Sequence, residues 1–60
     1  MKLCELKEGD RFTLDVPEHL KSSGVFIEND GIYSKIQFDW KEYVDGEFDT
    51  IIGFVSVKKD

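Results

Sequence analysis

Sixty residues that include a single cysteine, Cys4, must be held together by packing alone. One thiol can make neither an internal disulfide nor a multi-cysteine zinc site. A chain of this size buries only about 60% of the surface that its unfolded form exposes, so its core is thin and each buried side chain counts. The lone thiol points to a reducing compartment. Behind Met1, "KLCEL" carries no basic segment followed by a long apolar run and no stretch that could span a bilayer. The expectation is a cytoplasmic protein, in its producer or in a host, forming one small β domain over residues 1–60 with neither metal nor cofactor.

Residue choice favours strands. There is no alanine, and Val, Ile, Thr, Phe, Tyr and Trp make up a third of the chain, the set that suits a pleated, half-buried surface. Phe12, Leu14 and Val16 alternate with Arg11, Thr13 and Asp15, whereas Ile32, Ile36, Phe38 and Trp40 share a face opposite Tyr33, Lys35, Gln37 and Asp39. Between these runs "VPEHLKSSG" predicts one short helical turn near residues 17–23, begun at Pro17 and stopped by a left-handed Gly24. "VFIENDGIYSKIQF" predicts a hairpin turning at Asn29-Asp30-Gly31. Asp45-Gly46 predicts a second turn, joining a strand near Tyr43 to the last strand, "DTIIGFVSV", with a bulge or bend at Gly53.

Leu6-Lys7-Glu8-Gly9-Asp10-Arg11-Phe12 resembles the Leu-x-x-Gly-Asp-x-Phe start of small SH3-like barrels, in which a Gly-Asp turn reverses the chain into the first long strand. The resemblance implies a mostly β fold, a five-stranded SH3-like barrel or a strongly twisted antiparallel sheet. It implies nothing about function, because such barrels serve many.

Chemistry-bearing constellations are absent from the sequence. Gly9, Gly24, Gly31, Gly46 and Gly53 stand singly, so there is no phosphate-cradling loop. His19 is the only histidine and has no second histidine or cysteine to share a metal with. Cys4 lies in an apolar-polar alternation, without the cationic neighbour or helix start that activates a thiol. "DWKEYVDGEFDT" lacks both the oxygen spacing and the sixth-position glycine of a calcium loop. No pairing of acid, base and nucleophile stands out, which argues against an enzyme.

Two features suggest contacts with other molecules. Asp39, Glu42, Asp45, Glu47 and Asp49 stand against Lys41 alone, and Trp40, Tyr43 and Phe48 are interleaved with them. Aromatic side chains of this kind are enriched where proteins meet. Asp39, Trp40, Glu42, Tyr43, Asp45, Glu47 and Phe48 are therefore the candidate surface for a protein partner, set against the plainer reading of a solvated rim. In the last strand Ile51, Val55 and Val57 alternate on one side and Ile52 and Phe54 on the other. Ile52 and Phe54 thus become candidates for self-association as a homodimer, unless Leu20 and Phe26 cover them.

A noncatalytic protein-binding module fits these features best, such as a small accessory or inhibitor protein of a phage or mobile element. The alternatives are a nucleic-acid-binding small barrel that stacks bases on Tyr33, Trp40 and Tyr43, and an acidic mimic of nucleic acid that occupies a DNA- or RNA-handling enzyme. With 13 acidic against 8 basic residues, for a net charge of −5, generic nucleic acid should be repelled, because such affinity comes from lysines and arginines that release counterions.

Overall fold

The alternation of apolar and polar residues becomes one antiparallel sheet in the computed structural model, which describes residues 1–60. Its strands are β1 (Arg11–Leu14), β2 (Ser23–Asp30), β3 (Tyr33–Phe38), β4 (Asp49–Ile52) and β5 (Val57–Lys59), in the order β4-β3-β2-β1-β5. One face of the sheet carries Phe12, Phe26, Ile36 and Val57. Leu3 and Leu6 join them in a core of six apolar side chains, flanked by Leu14, Phe38, Ile51 and Val55. Six side chains are few, so a single large-to-small change removes a sizeable part of the apolar burial.

The barrel expected from the resemblance does not form, and the strongly twisted alternative is corrected with it. The sheet is open and flat, within extents of 30 × 24 × 17 Å. Closure would pair β4 with β5, yet these lie at opposite edges. The reason lies at Gly53, where the expected last strand breaks in two and its backbone is engaged by the N-terminal segment. Leu3 N–H donates to Val55 O and Cys4 N–H to Gly53 O, both at 2.9 Å, and Val57 N–H donates to Met1 O at 2.8 Å. A side chain at position 53 would sit 3.0 Å from Cys4 Cβ and 3.1 Å from Ser34 Oγ, so at the break the N-terminal segment and β3 both approach the backbone closely. The Gly-Asp turn that carried the resemblance is present all the same. Gly9 adopts φ +88°, Asp10 N–H donates to Lys7 O at 2.9 Å, and β1 begins directly afterwards at Arg11.

Three local expectations are corrected as well. The short helical turn is only a three-residue 3-10 turn, Glu18–Leu20, because the sheet claims the residues after it. Leu14 N–H donates to Ser22 O at 2.8 Å, and Ser23 and Gly24 pair with Thr13 and Phe12. Gly24 thus lies inside β2 and is not left-handed. A second 3-10 turn, Leu3–Glu5, forms near the N-terminus, where Lys2 N–H donates to the Glu5 carboxylate at 2.6 Å.

The hairpin turns later than expected. Asn29 and Asp30 remain in β2, opposite Ser34 and Tyr33, and the two-residue turn is Gly31-Ile32 with Gly31 at φ +65°. Positive φ at the first turn residue alone matches the twist of the flanking strands and suits glycine. Ile32 is left exposed in the turn, while Ser34 is fully buried. Its hydroxyl is 2.6 Å from Asn29 Oδ1, and Asn29 Nδ2 donates to Cys4 O at 2.9 Å. This relay ties the N-terminal segment to the hairpin. An extra residue in β2, Ile27, shifts the register between Phe26 and Glu28, a β-bulge that leaves Ile27 unpaired with β3.

Candidate functional site

The acidic-aromatic stretch is a loop between β3 and β4, with no strand near Tyr43. What orders it is a side chain standing in for a missing strand. β4 ends at Asp49, opposite Ile36, so two residues further along β3 the Phe38 N–H has no β4 partner. The Tyr43 hydroxyl accepts from that N–H at 2.9 Å and donates to Asp49 Oδ2 at 2.7 Å. Lys41 Nζ reaches both Asp49 oxygens at 3.2 and 3.3 Å and lies 5.4 Å from the Tyr43 ring centroid. Further on, Val44 N–H donates to Glu47 Oε1 at 2.9 Å across the Asp45-Gly46 turn, where Gly46 takes φ +86°. Gln37 Nε2 donates to Glu47 O at 2.8 Å. The middle of the loop, through Tyr43, and its far end, through Glu47, are thereby bonded to β3.

These bonds set the local electrostatics. The hydrogen bond from Tyr43, and after it that from Lys41, holds the Asp49 carboxyl below the ordinary aspartate range. Desolvation, and then the bond to Asp49, pushes the Tyr43 phenol up, and the bond to Asp49 raises Lys41. A depressed carboxyl contributes stability that is present above its unfolded pKa and lost as pH falls through the folded value. A raised phenol contributes below its unfolded pKa, and that part is lost as pH rises through the folded value. The loop should therefore be held at neutral pH and loosen on acidification below about pH 4.

Tyr43→Phe tests this account. Phe38 N–H loses its partner, which costs about 1 kcal/mol for an unmade hydrogen bond, and Asp49 loses the first cause of its depression. The thermal midpoint should fall by a few degrees, and the Asp49 carboxyl carbon, followed by NMR titration, should titrate at higher pH than in the parent. An unmoved Asp49 titration would show that Tyr43 does not set it.

Among the predicted surface residues, several are engaged within the chain. Asp39 pairs with Arg11, Tyr43 is bonded to Phe38 N–H and to Asp49, and Glu47 caps Val44 N–H. Glu42 and Asp45 are exposed and make no ion pair. Trp40 stacks on Phe38, with centroids 5.2 Å apart and planes at 19°, yet remains 67% exposed. It covers one face of Phe38 and offers its other face to solvent. Phe48 is 43% exposed, with Lys35 Nζ 4.8 Å from its ring centroid. Val44, at 68%, is the apolar tip that sequence reasoning missed, because "YVDG" reads as the end of a strand. Tyr43 belongs to the scaffold of the site more than to its surface.

The aromatics proposed for base stacking are not gathered. Tyr33 begins β3 and Trp40 lies beyond its other end, roughly 17 Å of strand away for the five steps from Tyr33 to Phe38. Tyr43 spends its hydroxyl on the loop. Ile52 and Phe54 are both exposed, and neither of their expected covers serves: Phe26 is in the core, and Leu20 is itself exposed on the 3-10 turn. His19 is exposed on the same turn, and Cys4 is a free thiol of intermediate burial. No three of the His, Cys, Asp and Glu side chains converge as metal ligands, the surface has no enclosed pocket, and no helix is long and apolar enough to cross a membrane. In comparisons with known proteins, the chain matches no protein-family model, no curated protein and no solved structure.

Proposed function

We propose that this chain is a noncatalytic protein-binding module whose contact surface is the loop between β3 and β4. One observation carries the reading: Trp40, Val44 and Phe48 are exposed on a loop already tied to β3 and β4 through the Tyr43 hydroxyl and the Glu47 carbonyl. A loop ordered before contact forfeits less conformational entropy on binding, so apolar area presented there converts more fully into affinity. Trp40 is the central residue, because its ring is braced by Phe38 and tryptophan is among the residues that dominate interface energetics. Glu42 and Asp45 favour a partner with basic groups around an apolar patch.

The test compares the parent protein with Trp40→Ala, immobilised at equal density after circular dichroism shows the two folded alike. A partner held by the parent should be lost at least tenfold with Trp40→Ala, since removal of an anchor of this type costs about 2 kcal/mol or more. Equal retention by both proteins would overturn the assignment of the loop. Retained material destroyed by nuclease would replace it with the nucleic-acid reading, and a retained enzyme displaced by DNA or RNA would point to the mimic.

A further inference from the structure

We propose that the open edge of β4 pairs with β4 of a second copy of this chain, antiparallel about Ile51. The direction of the backbone groups comes from the neighbouring ladder. In β3, Asp39 N–H just past the strand end donates to Ser23 of the β2 side, whereas Phe38 N–H points the other way, to Tyr43. Even-numbered residues of β3 therefore address β4, and their partners there are Asp49, opposite Ile36, and Ile51, opposite Ser34. Thr50 and Ile52 direct their backbone groups outward. Ile52 O accepts from Val55 N–H at 3.3 Å, which leaves Thr50 N–H, Thr50 O and Ile52 N–H facing solvent in a row.

The two edges of the sheet differ in how they are guarded. β5 carries Lys58 and Lys59, the charged type that discourages edge pairing, whereas β4, Asp-Thr-Ile-Ile, has no cation and its one carboxylate is engaged by Tyr43 and Lys41. The β4 edge also suits a copy of itself. A two-fold axis at Ile51 sets Thr50 opposite Ile52 of the other copy, so that each Ile52 N–H can reach a Thr50 O. On the same face Ile52, 47% exposed, gains apolar contact. Phe48 of one copy approaches the end where the other turns through Gly53 to Phe54, itself 58% exposed.

Charge agrees with this register. It brings the acidic end of β4, with Glu47 and Asp49, to the end of the partner where Lys2 Nζ lies 5.5 Å from the Phe54 ring centroid. No like charges fall opposite one another along the strand. Four residues make a small contact against the roughly 1,200 Å² at the low end of stable interfaces, so the dimer forms with rising concentration.

Amide hydrogen exchange over a concentration series, with sedimentation on the same samples, tests the pairing. Protection at Thr50 and Ile52 is expected to rise as the dimer forms, and Asp49 and Ile51 to stay constant. Thr50→Pro removes an outward N–H that β3 does not use, and should give a folded monomer at every concentration. Ile52→Lys, a change at an exposed position, should weaken the dimer at least tenfold and serves as the second variant if the proline perturbs β4. A monomer across the whole series, or a dimer that both variants leave intact, would overturn the proposal.

Discussion

Gly24→Ala is expected to leave most of the protein unfolded at room temperature. An added Cβ would lie 2.4 Å from the Gln37 carbonyl oxygen and 3.2 Å from both Gln37 C and Phe38 Cα. All three are backbone atoms, so no rotamer change relieves the overlap. Nor can the strand step aside, because Gly24 pairs with Phe12 on one side and Phe38 on the other. Overpacking costs about 1–3 kcal/mol where neighbouring side chains can yield and more where they cannot, against a total of about 3–5 kcal/mol for a core this small. Urea denaturation followed by far-ultraviolet circular dichroism measures it. A variant with the parent's midpoint would show that β2 and β3 can separate locally without loss.

The second large effect is expected at Phe12→Ala. Phe12 is completely buried, in a strand paired on both sides, and Phe→Ala in a core costs about 3–5 kcal/mol, the lost transfer energy plus the cavity. That is comparable with the whole stability. Phe54→Ala removes the same atoms from an exposed ring and should change stability by about 0.5 kcal/mol or less. Melting the two variants side by side tests the core assignment, and comparable losses would contradict it.

The contrast between those phenylalanines bears on how much of the fold was legible in the chain. Alternation alone put Phe12 and Leu14 on the inner side of the first strand, and Ile36 and Phe38 on the inner side of the third, since a pleated strand sends neighbouring residues to opposite faces. Misread positions sit where one backbone group outbid another. Gly24 has the sequence context of a helix stop, yet pairing with Phe12 and Phe38 draws it into β2. Ile32 has the parity of a core residue, but the two-residue turn takes it and leaves Ser34 in the interior. The short motif at Gly9-Asp10 specified its own turn and nothing of closure, which depended on residues more than forty positions away.

Within the candidate site, the interleaving of carboxylates with Trp40, Tyr43 and Phe48 was legible, because composition over ten residues survives any local conformation. The division of labour among them was not. That Tyr43 holds the loop while Trp40 and Val44 are displayed depends on where β4 stops relative to β3, and hence on which N–H of β3 is left over. Side-chain period and turn chemistry are local, and they determined by themselves the inner face of β1 and β3, the absence of a long helix and the acidic-aromatic stretch, but neither the loop at Tyr43 nor the break of the last strand at Gly53. Strand order, the open edge at β4 and the partner of each leftover hydrogen-bonding group were decided only by the tertiary structure, because they arise from competition among backbone groups distant in the chain.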